Sequence, residues 1–257
     1  MPTVNRGGVE LFYSEIGSGP ATFWHTGGGG DGSMWQTAGC LDALPGRRHI
    51  LLDHRGHGRS GKPKDRVAHS QDEYIADVLA VLDAVGEEKV AAVGYSDGGY
   101  LLYALASRYP ERIAALVGIG GVGLPGDTNE YRSQIADQTR EYGVRGFIQR
   151  MSESESQPAP PWLIKNLCET SDEMFILELE GWLDGPLEAD TFPLIQAPTL
   201  ILCGSREDTD NAAEEAVKVL RTGEKAVIPD FGHLQAFWRT DVTAPIIREF
   251  LDRHAPA

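Results

Sequence analysis

Residues 90–94, Val90-Ala91-Ala92-Val93-Gly94, are apolar throughout, without the polar alternation of a strand that keeps one face in water. A strand of this kind is covered on both sides, as in a parallel sheet sandwiched between helices. The neighbouring sequence repeats the theme. Residues 9–16 alternate apolar and polar positions and end in Gly17-Ser18-Gly19-Pro20, a strand running into a turn. Residues 21–24 and 50–52 are short apolar runs ahead of glycine-rich loops. Tyr74, Val78, Leu82 and Val85 recur at intervals of three and four, which predicts a helix over 72–85 with Gly86 as its stop. A further helix is expected up to Tyr109, closed by Pro110, and a strand over 113–119. Strands alternating with helices define an α/β fold built on a mostly parallel, doubly wound sheet with helices on both faces.

The rhythm changes between Gly123 and Phe192, where polar, helix-like segments at 129–151, 161–169 and 172–183 follow one another without strands. It then resumes with strands at 198–203 and 225–228 and helices at 212–220 and 242–253. The expected organisation is therefore a core of residues 1–123 and 193–257, interrupted by a helical insertion over 124–192 that covers one end of the sheet. At 257 residues the chain is long enough for such a core.

With 23 Lys and Arg against 38 Asp and Glu, the net charge of −15 repels phosphate backbones and anionic lipid, so neither nucleic acid nor a membrane is an expected partner. No apolar run approaches the roughly 20 residues needed to span a bilayer. The N-terminal residues carry no basic stretch followed by an apolar one, so a cytoplasmic location is expected. Cys40, Cys168 and Cys203 are scattered and odd in number, which reads as small buried residues rather than a disulfide framework or metal knuckle.

The most specific local signal is Gly94-Tyr95-Ser96-Asp97-Gly98-Gly99, a G-x-S-x-G pattern lying between a predicted strand and a predicted helix. A sharp turn there leaves no room for side chains at Gly94 and Gly98 and lifts the Ser96 hydroxyl above the sheet. The starting helix aims free N–H groups at any anion that forms beside it. A serine hydroxyl needs an adjacent base, oriented in turn by a carboxylate. Among seven histidines, His233 in Asp230-Phe231-Gly232-His233-Leu234 follows the last strand, which returns it to the same sheet edge as Ser96. His49 and His254 read as solvated and His69 as a loop residue, while His25, His54 and His57 fit positioning or structural roles. Asp208, just after the penultimate strand, is the expected acid, with Glu207 and Asp210 as alternatives. Ser96, Asp208 and His233 then follow the chain order of serine, acid and histidine.

Trp24-His25-Thr26-Gly27-Gly28-Gly29-Gly30-Asp31-Gly32 follows an early strand, and its glycines let backbone N–H groups approach a ligand closely. Gly27 or Gly28 is the expected oxyanion donor from this loop, with the N–H of Asp97 as the other. Gly56-His57-Gly58-Arg59-Ser60-Gly61-Lys62-Pro63 imitates a phosphate loop. Pro63 stands where a magnesium-binding hydroxyl is required, however, and no periodic helix starts there, which argues against a nucleotide. Gly118–Gly123 repeats the glycine spacing, but Leu124-Pro125-Gly126 breaks the chain.

Taken with Asp53-His54-Arg55-Gly56-His57-Gly58-Arg59-Ser60, Asp208 and Gly232-His233, the serine motif resembles the α/β-hydrolase fold superfamily over essentially the whole chain. The resemblance implies an eight-stranded sheet with a helical cap. One departure is Thr26, which stands where a His-Gly pair would have glycine and whose Cβ disfavours positive φ. Members of the superfamily that open epoxides or remove halide attack with a carboxylate, so Ser96 argues against both. The reading is hydrolysis of a small-molecule carboxylic ester or lactone through an acyl-enzyme, with no metal or cofactor. A C–C bond hydrolase on the same residues, or a ligand-binding receptor with little turnover, are the alternatives. Trp35, Tyr95, Phe147, Trp162 and Trp182 are candidates for an apolar substrate pocket. Substrate identity and oligomeric state are not encoded in any of these motifs.

Overall fold

The computed structural model describes residues 2–121, 128–184, 190–208 and 211–256. Among the described residues eight strands form one sheet: β1 (Thr3–Arg6), β2 (Val9–Gly17), β3 (Ala21–His25), β4 (Arg48–Leu52), β5 (Val90–Tyr95), β6 (Ile113–Ile119), β7 (Thr199–Gly204) and β8 (Gly223–Ile228). Their order is β1-β2-β4-β3-β5-β6-β7-β8. β2 pairs antiparallel with both β1 and β4, and every pairing from β4 to β8 is parallel. The strand order doubles back beside β3, so β5 lies at the centre with its C-terminal end free to carry a site.

The helices are α1 (Ser33–Thr37), α2 (Cys40–Ala43), α3 (Gln71–Ala84), α4 (Asp97–Arg108), α5 (Thr128–Ser154), α6 (Pro161–Leu167), α7 (Asp172–Gly181), α8 (Thr191–Leu194), α9 (Ala212–Val219), α10 (His233–Trp238) and α11 (Thr240–His254). Alternate residues of the central strands face opposite layers. Phe23, Ala92 and Ile201 pack with Tyr74, Val78 and Leu82 of α3, Leu101, Leu102 and Leu105 of α4, and Ala213 and Ala216 of α9. Trp24, Val93, Leu200 and Leu202 pack instead with Trp35 of α1, Leu41 of α2, Phe237 of α10, and Phe250 and Leu251 of α11. Both faces of β5 are therefore buried, which accounts for its unbroken apolar run.

Helices α5 to α8 lie between β6 and β7. The single helix expected over 129–151 is broken at Gly143, whose φ of 71° and ψ of 165° only glycine adopts readily. The amide just beyond the break, on Val144, donates to Asp172 Oδ1 at 2.8 Å, so α7 supplies the acceptor that the interrupted helix lacks. The helix expected over 172–183 ends at Gly181, and Trp182–Asp184 continue as a 3₁₀ turn. Among the described residues no helix is long and apolar enough to cross a membrane.

Candidate active site

β5 turns into α4 at Ser96, which takes φ 54° and ψ −124°, a backbone state costly for any residue with a Cβ. The turn is tight because Gly98 sits against the carbonyl oxygens of His25 and Thr26, where a Cβ would collide with backbone. Ser96 N–H donates to Ile119 O at 2.8 Å, and Ser96 O accepts from Gly99 and Tyr100 at 2.9 and 3.2 Å. These bonds anchor the strained residue on both sides. Asp97 is the first residue of α4, so its N–H has no partner within the helix and lies at the positive end of the dipole, next to Ser96.

His233 is the first residue of α10. Its Nε2 lies 3.0 Å from Ser96 Oγ and its Nδ1 2.7 Å from Glu207 Oε2. The carboxylate can only accept, so Nδ1 carries a proton and Nε2 presents its lone pair to the serine hydroxyl. The structure thus puts Glu207 in the place where Asp208 was expected. Asp208 points away, and its Oδ1 accepts from Ala213 N–H at 2.9 Å beside the start of α9. The turn after β7 decides between them. The amides of Glu207 and Asp208 both donate to Gly204 O at 3.2 Å, while Glu207 Oε1 folds back onto Gly204 N–H at 2.9 Å. That leaves Oε2 of Glu207 facing the imidazole. Asp210 lies outside the described residues.

Burial opposes charge on His233, yet the charge and hydrogen bond of Glu207, with Glu155 and Asp97 behind it, raise its pKa above the ordinary histidine value. Glu155, in the turn after α5, accepts from Leu234 N–H at 2.9 Å and so caps the helix that carries His233. Neither Glu155 nor its role was legible beforehand, because it lies in a polar run, Ser152-Glu153-Ser154-Glu155-Ser156, in which any carboxylate would look solvated.

The glycine loop after β3 crosses beside Ser96. A Cβ on Gly27 would stand 3.3 Å from Ser96 Oγ, and one on Gly28 would meet Phe175 of α7. The feared conflict at Thr26 does not arise: the first positive φ in the loop falls on Gly29, at 84°. Gly29 N–H donates to His57 Nε2 at 3.1 Å, and Thr170 Oγ1 donates to Gly29 O at 3.0 Å. Asp53 ties this loop to the one after β4, because its carboxylate accepts from Gly32 N–H at 3.0 Å and from Arg59 Nε at 2.8 Å. The Asp53–Ser60 motif is thus a brace for the glycine loop.

Of the aromatic candidates, Tyr95 lies beside the site, its ring 5.1 Å from His233 and its hydroxyl donating to His233 O at 3.3 Å. Phe147 packs on Phe175 at 6.0 Å, and Trp162 is partly buried against the same cluster. Trp35 is enclosed between Trp24 and Phe237, at 4.8 and 5.0 Å, as core packing. Trp182 belongs to the opposite core layer, edge-on to Tyr74 at 5.3 Å. Phe175 emerges only from the structure.

His49, expected in contact with water, is buried and accepts from Trp24 Nε1 at 3.1 Å, and the loop residue His69 is buried as well. His254 is half-buried and bonds Glu224 at 2.9 Å. His25, His54 and His57 are buried as a stack, with centroids 5.0 and 3.9 Å apart. Desolvation, aided by repulsion from His54 at His25 and His57 and from His69 at His54, lowers each of the three to about 3. A histidine neutral in the fold but protonated when unfolded stabilises the native state above pH 6.5, and that contribution drains away as pH falls toward 3. The denaturant midpoint is expected to drop steeply between pH 6.5 and 4, and less so when His25 is replaced by Gln. Urea titrations monitored by tryptophan fluorescence measure this.

A family model described as the alpha/beta hydrolase fold matches residues 23–158, more than half of the chain. The chain belongs to the α/β-hydrolase fold family. It is 40% identical over 105 residues to a 2-hydroxymuconate semialdehyde hydrolase of Pseudomonas putida, covering 41% of this chain and 37% of that protein. That alignment spans less than two thirds of the relative's length. Among solved structures, a thermophilic esterase from Thermogutta terrifontis superposes with a TM-score of 0.80 at 23% identity, covering 98% of this chain and 97% of that one. An enol-lactonase from Burkholderia xenovorans superposes with a TM-score of 0.79 at 23% identity, over 97% and 99% of the two chains. At such identities the superpositions establish the fold.

Proposed function

We propose that this protein is a serine hydrolase that cleaves a small carboxylic ester or lactone through an acyl-enzyme on Ser96. The observation that carries the reading is the unbroken line from Ser96 Oγ through His233 to Glu207, at 3.0 and 2.7 Å. His233 Nε2 removes the hydroxyl proton as Ser96 attacks the carbonyl carbon. The imidazolium, held by Glu207, returns that proton to the departing alkoxide. Water, deprotonated by His233, then releases the acid and restores the serine. The N–H groups of Asp97 and of Gly27 or Gly28 serve as the oxyanion hole. The described part of the insertion, residues 128–184, acts as the cap over this site, and Tyr95, Phe147 and Phe175 supply apolar wall, which favours a partly hydrophobic acyl group.

The stretch of 40% identity to the semialdehyde hydrolase favours a second reading, cleavage of a C–C bond by the same residues. A panel of p-nitrophenyl esters, lactones and vinylogous diketones separates the two. Ser96-dependent turnover at least about tenfold faster in kcat/KM on esters or lactones, about 1.4 kcal/mol of transition-state preference, is expected. A preference for the diketones transfers the assignment to C–C cleavage.

A further inference from the structure

Behind the glycine loop lies a carboxyl group for which the Ser96–His233–Glu207 line has no use. Glu178, on α7, is only 2% exposed. Its Oε1 is 3.4 Å from His54 Nε2 and its Oε2 is 3.3 Å from His57 Nε2. His54 Nε2 and Glu178 Oε2 are both buried without a hydrogen-bond partner. These three side chains bring one ligand atom each within 4.8 Å of one another, the arrangement of a small cation site.

The protonation pattern around His57 points elsewhere. His57 Nδ1 is 3.2 Å from Arg55 O, which can only accept, so Nδ1 holds the ring proton. His57 Nε2 accepts from Gly29 N–H at 3.1 Å, so it bears a lone pair that is already engaged. A cation at this point would have to displace that amide. An imidazolium would turn an N–H toward an N–H. An ionised Glu178 would oppose a lone pair to a lone pair at 3.3 Å in a place without water's screening. A proton on Oε2 removes the opposition of lone pairs, because Oε2–H can share the single Nε2 lone pair with Gly29 N–H as a three-centre bond, which neither a cation nor an imidazolium allows.

We propose that Glu178 works as a neutral carboxylic acid, a positioning residue that donates to His57 and thereby fixes the Gly29 amide and the oxyanion loop beside Ser96. This rests on the serine-hydrolase reading above. Gly28 is in direct reach as well, since a Cβ there would lie 3.5 Å from Glu178 Oε2. Thr170, ahead of α7, bonds Gly29 O, so the segment that carries Glu178 grips the same loop twice. The charged and titratable groups around Glu178 are His54 and His57 after β4, His69 before α3, Tyr74 of α3, Asp97 of α4 and Arg132 of α5. Desolvation, assisted by Asp97 and opposed by His57, His69 and Arg132, pushes Glu178 up to about 7. Ionisation above that pH sets the carboxylate against His57 and loosens the loop.

The test compares the intact protein with Glu178→Gln and Glu178→Ala. The carboxamide of Gln donates to His57 at every pH, so it imitates the protonated acid. Wild-type kcat is expected to rise as His233 loses its proton and to fall again on the alkaline side, by about 10-fold or more, part of the 100- to 1000-fold attributed to one oxyanion donor. Glu178→Gln is expected to keep the acid limb, lose the alkaline fall and retain kcat at pH 7 within a few-fold. Glu178→Ala is expected to lower kcat with little change in KM, because an oxyanion contact is made in the transition state. Difference infrared spectra should show a protonated carboxyl band that titrates in the wild type and is missing from Glu178→Gln. Ser96-dependent turnover without an alkaline fall, or with one that survives in Glu178→Gln, overturns the positioning role. An ion bound one per chain and lost in Glu178→Gln replaces the proton by a metal. Should Ser96-dependent turnover itself be missing, the hydrolase reading falls and the positioning role with it, while the infrared band still reports the proton.

Discussion

Replacement of Ser96 by alanine is expected to reduce kcat on a short-chain ester by about 10⁴- to 10⁶-fold, the range seen when a serine nucleophile is removed from an oriented imidazole. The side chain makes no packing contribution that alanine cannot replace, and alanine inherits the same strained backbone at φ 54°. Circular dichroism and the denaturation midpoint should therefore stay near the wild type while turnover collapses. Loss of the covalent adduct with a fluorophosphonate probe, read by intact mass, checks the same residue independently of turnover. A variant that keeps more than about a tenth of the wild-type kcat would remove Ser96 from the chemistry.

The second large effect separates two adjacent carboxylates. Glu207→Gln is expected to cost about 10⁴-fold in kcat, comparable with loss of the orienting acid from other hydrolases of this mechanism. The reason is tautomeric. An amide nitrogen placed 2.7 Å from His233 Nδ1 donates to it, which moves the ring proton to Nε2 and leaves no lone pair for the Ser96 hydroxyl. Asp208→Asn, one residue along, is expected to keep kcat within a few-fold, because an amide oxygen can still accept from Ala213 N–H. The reverse result would restore Asp208 as the acid and exclude the turn geometry described above.

That one-residue displacement shows where sequence reasoning stopped. The β/α rhythm was legible because buried parallel strands leave unbroken apolar runs, and β6 was placed residue for residue at Ile113–Ile119. β1 escaped notice, since Thr3–Arg6 lies on the sheet edge with only Val4 apolar. α10 escaped as well: six residues starting at His233 are too few to display a helical period. Ser96 and His233 could be chosen by position relative to strands and helices. The acid could not, because Glu207 and Asp208 occupy the same position at that coarseness, and only the path of the Gly204–Asp208 turn tells them apart. Burial of His25, His54 and His57 was equally illegible. Polar residues in loops look solvated until the elements that cover them are known, and here the cover comes in part from α7, more than a hundred residues downstream. Trp35 and Trp182 failed in the opposite direction, as aromatic residues assigned to a pocket that proved to be packing.

Asp97 carries one more bond. Its Oδ1 accepts from Arg132 Nη2 of α5 at 2.7 Å, both side chains being largely shielded from water. Removing one member of such a pair strands the other, at a typical cost of about 3–5 kcal/mol. Anyone who transplants the 124–192 segment from a relative to alter specificity must therefore bring a cation at position 132 or neutralise position 97. Otherwise the chimaera inherits an uncompensated negative charge next to Ser96, where it would repel the very oxyanion that turnover has to create.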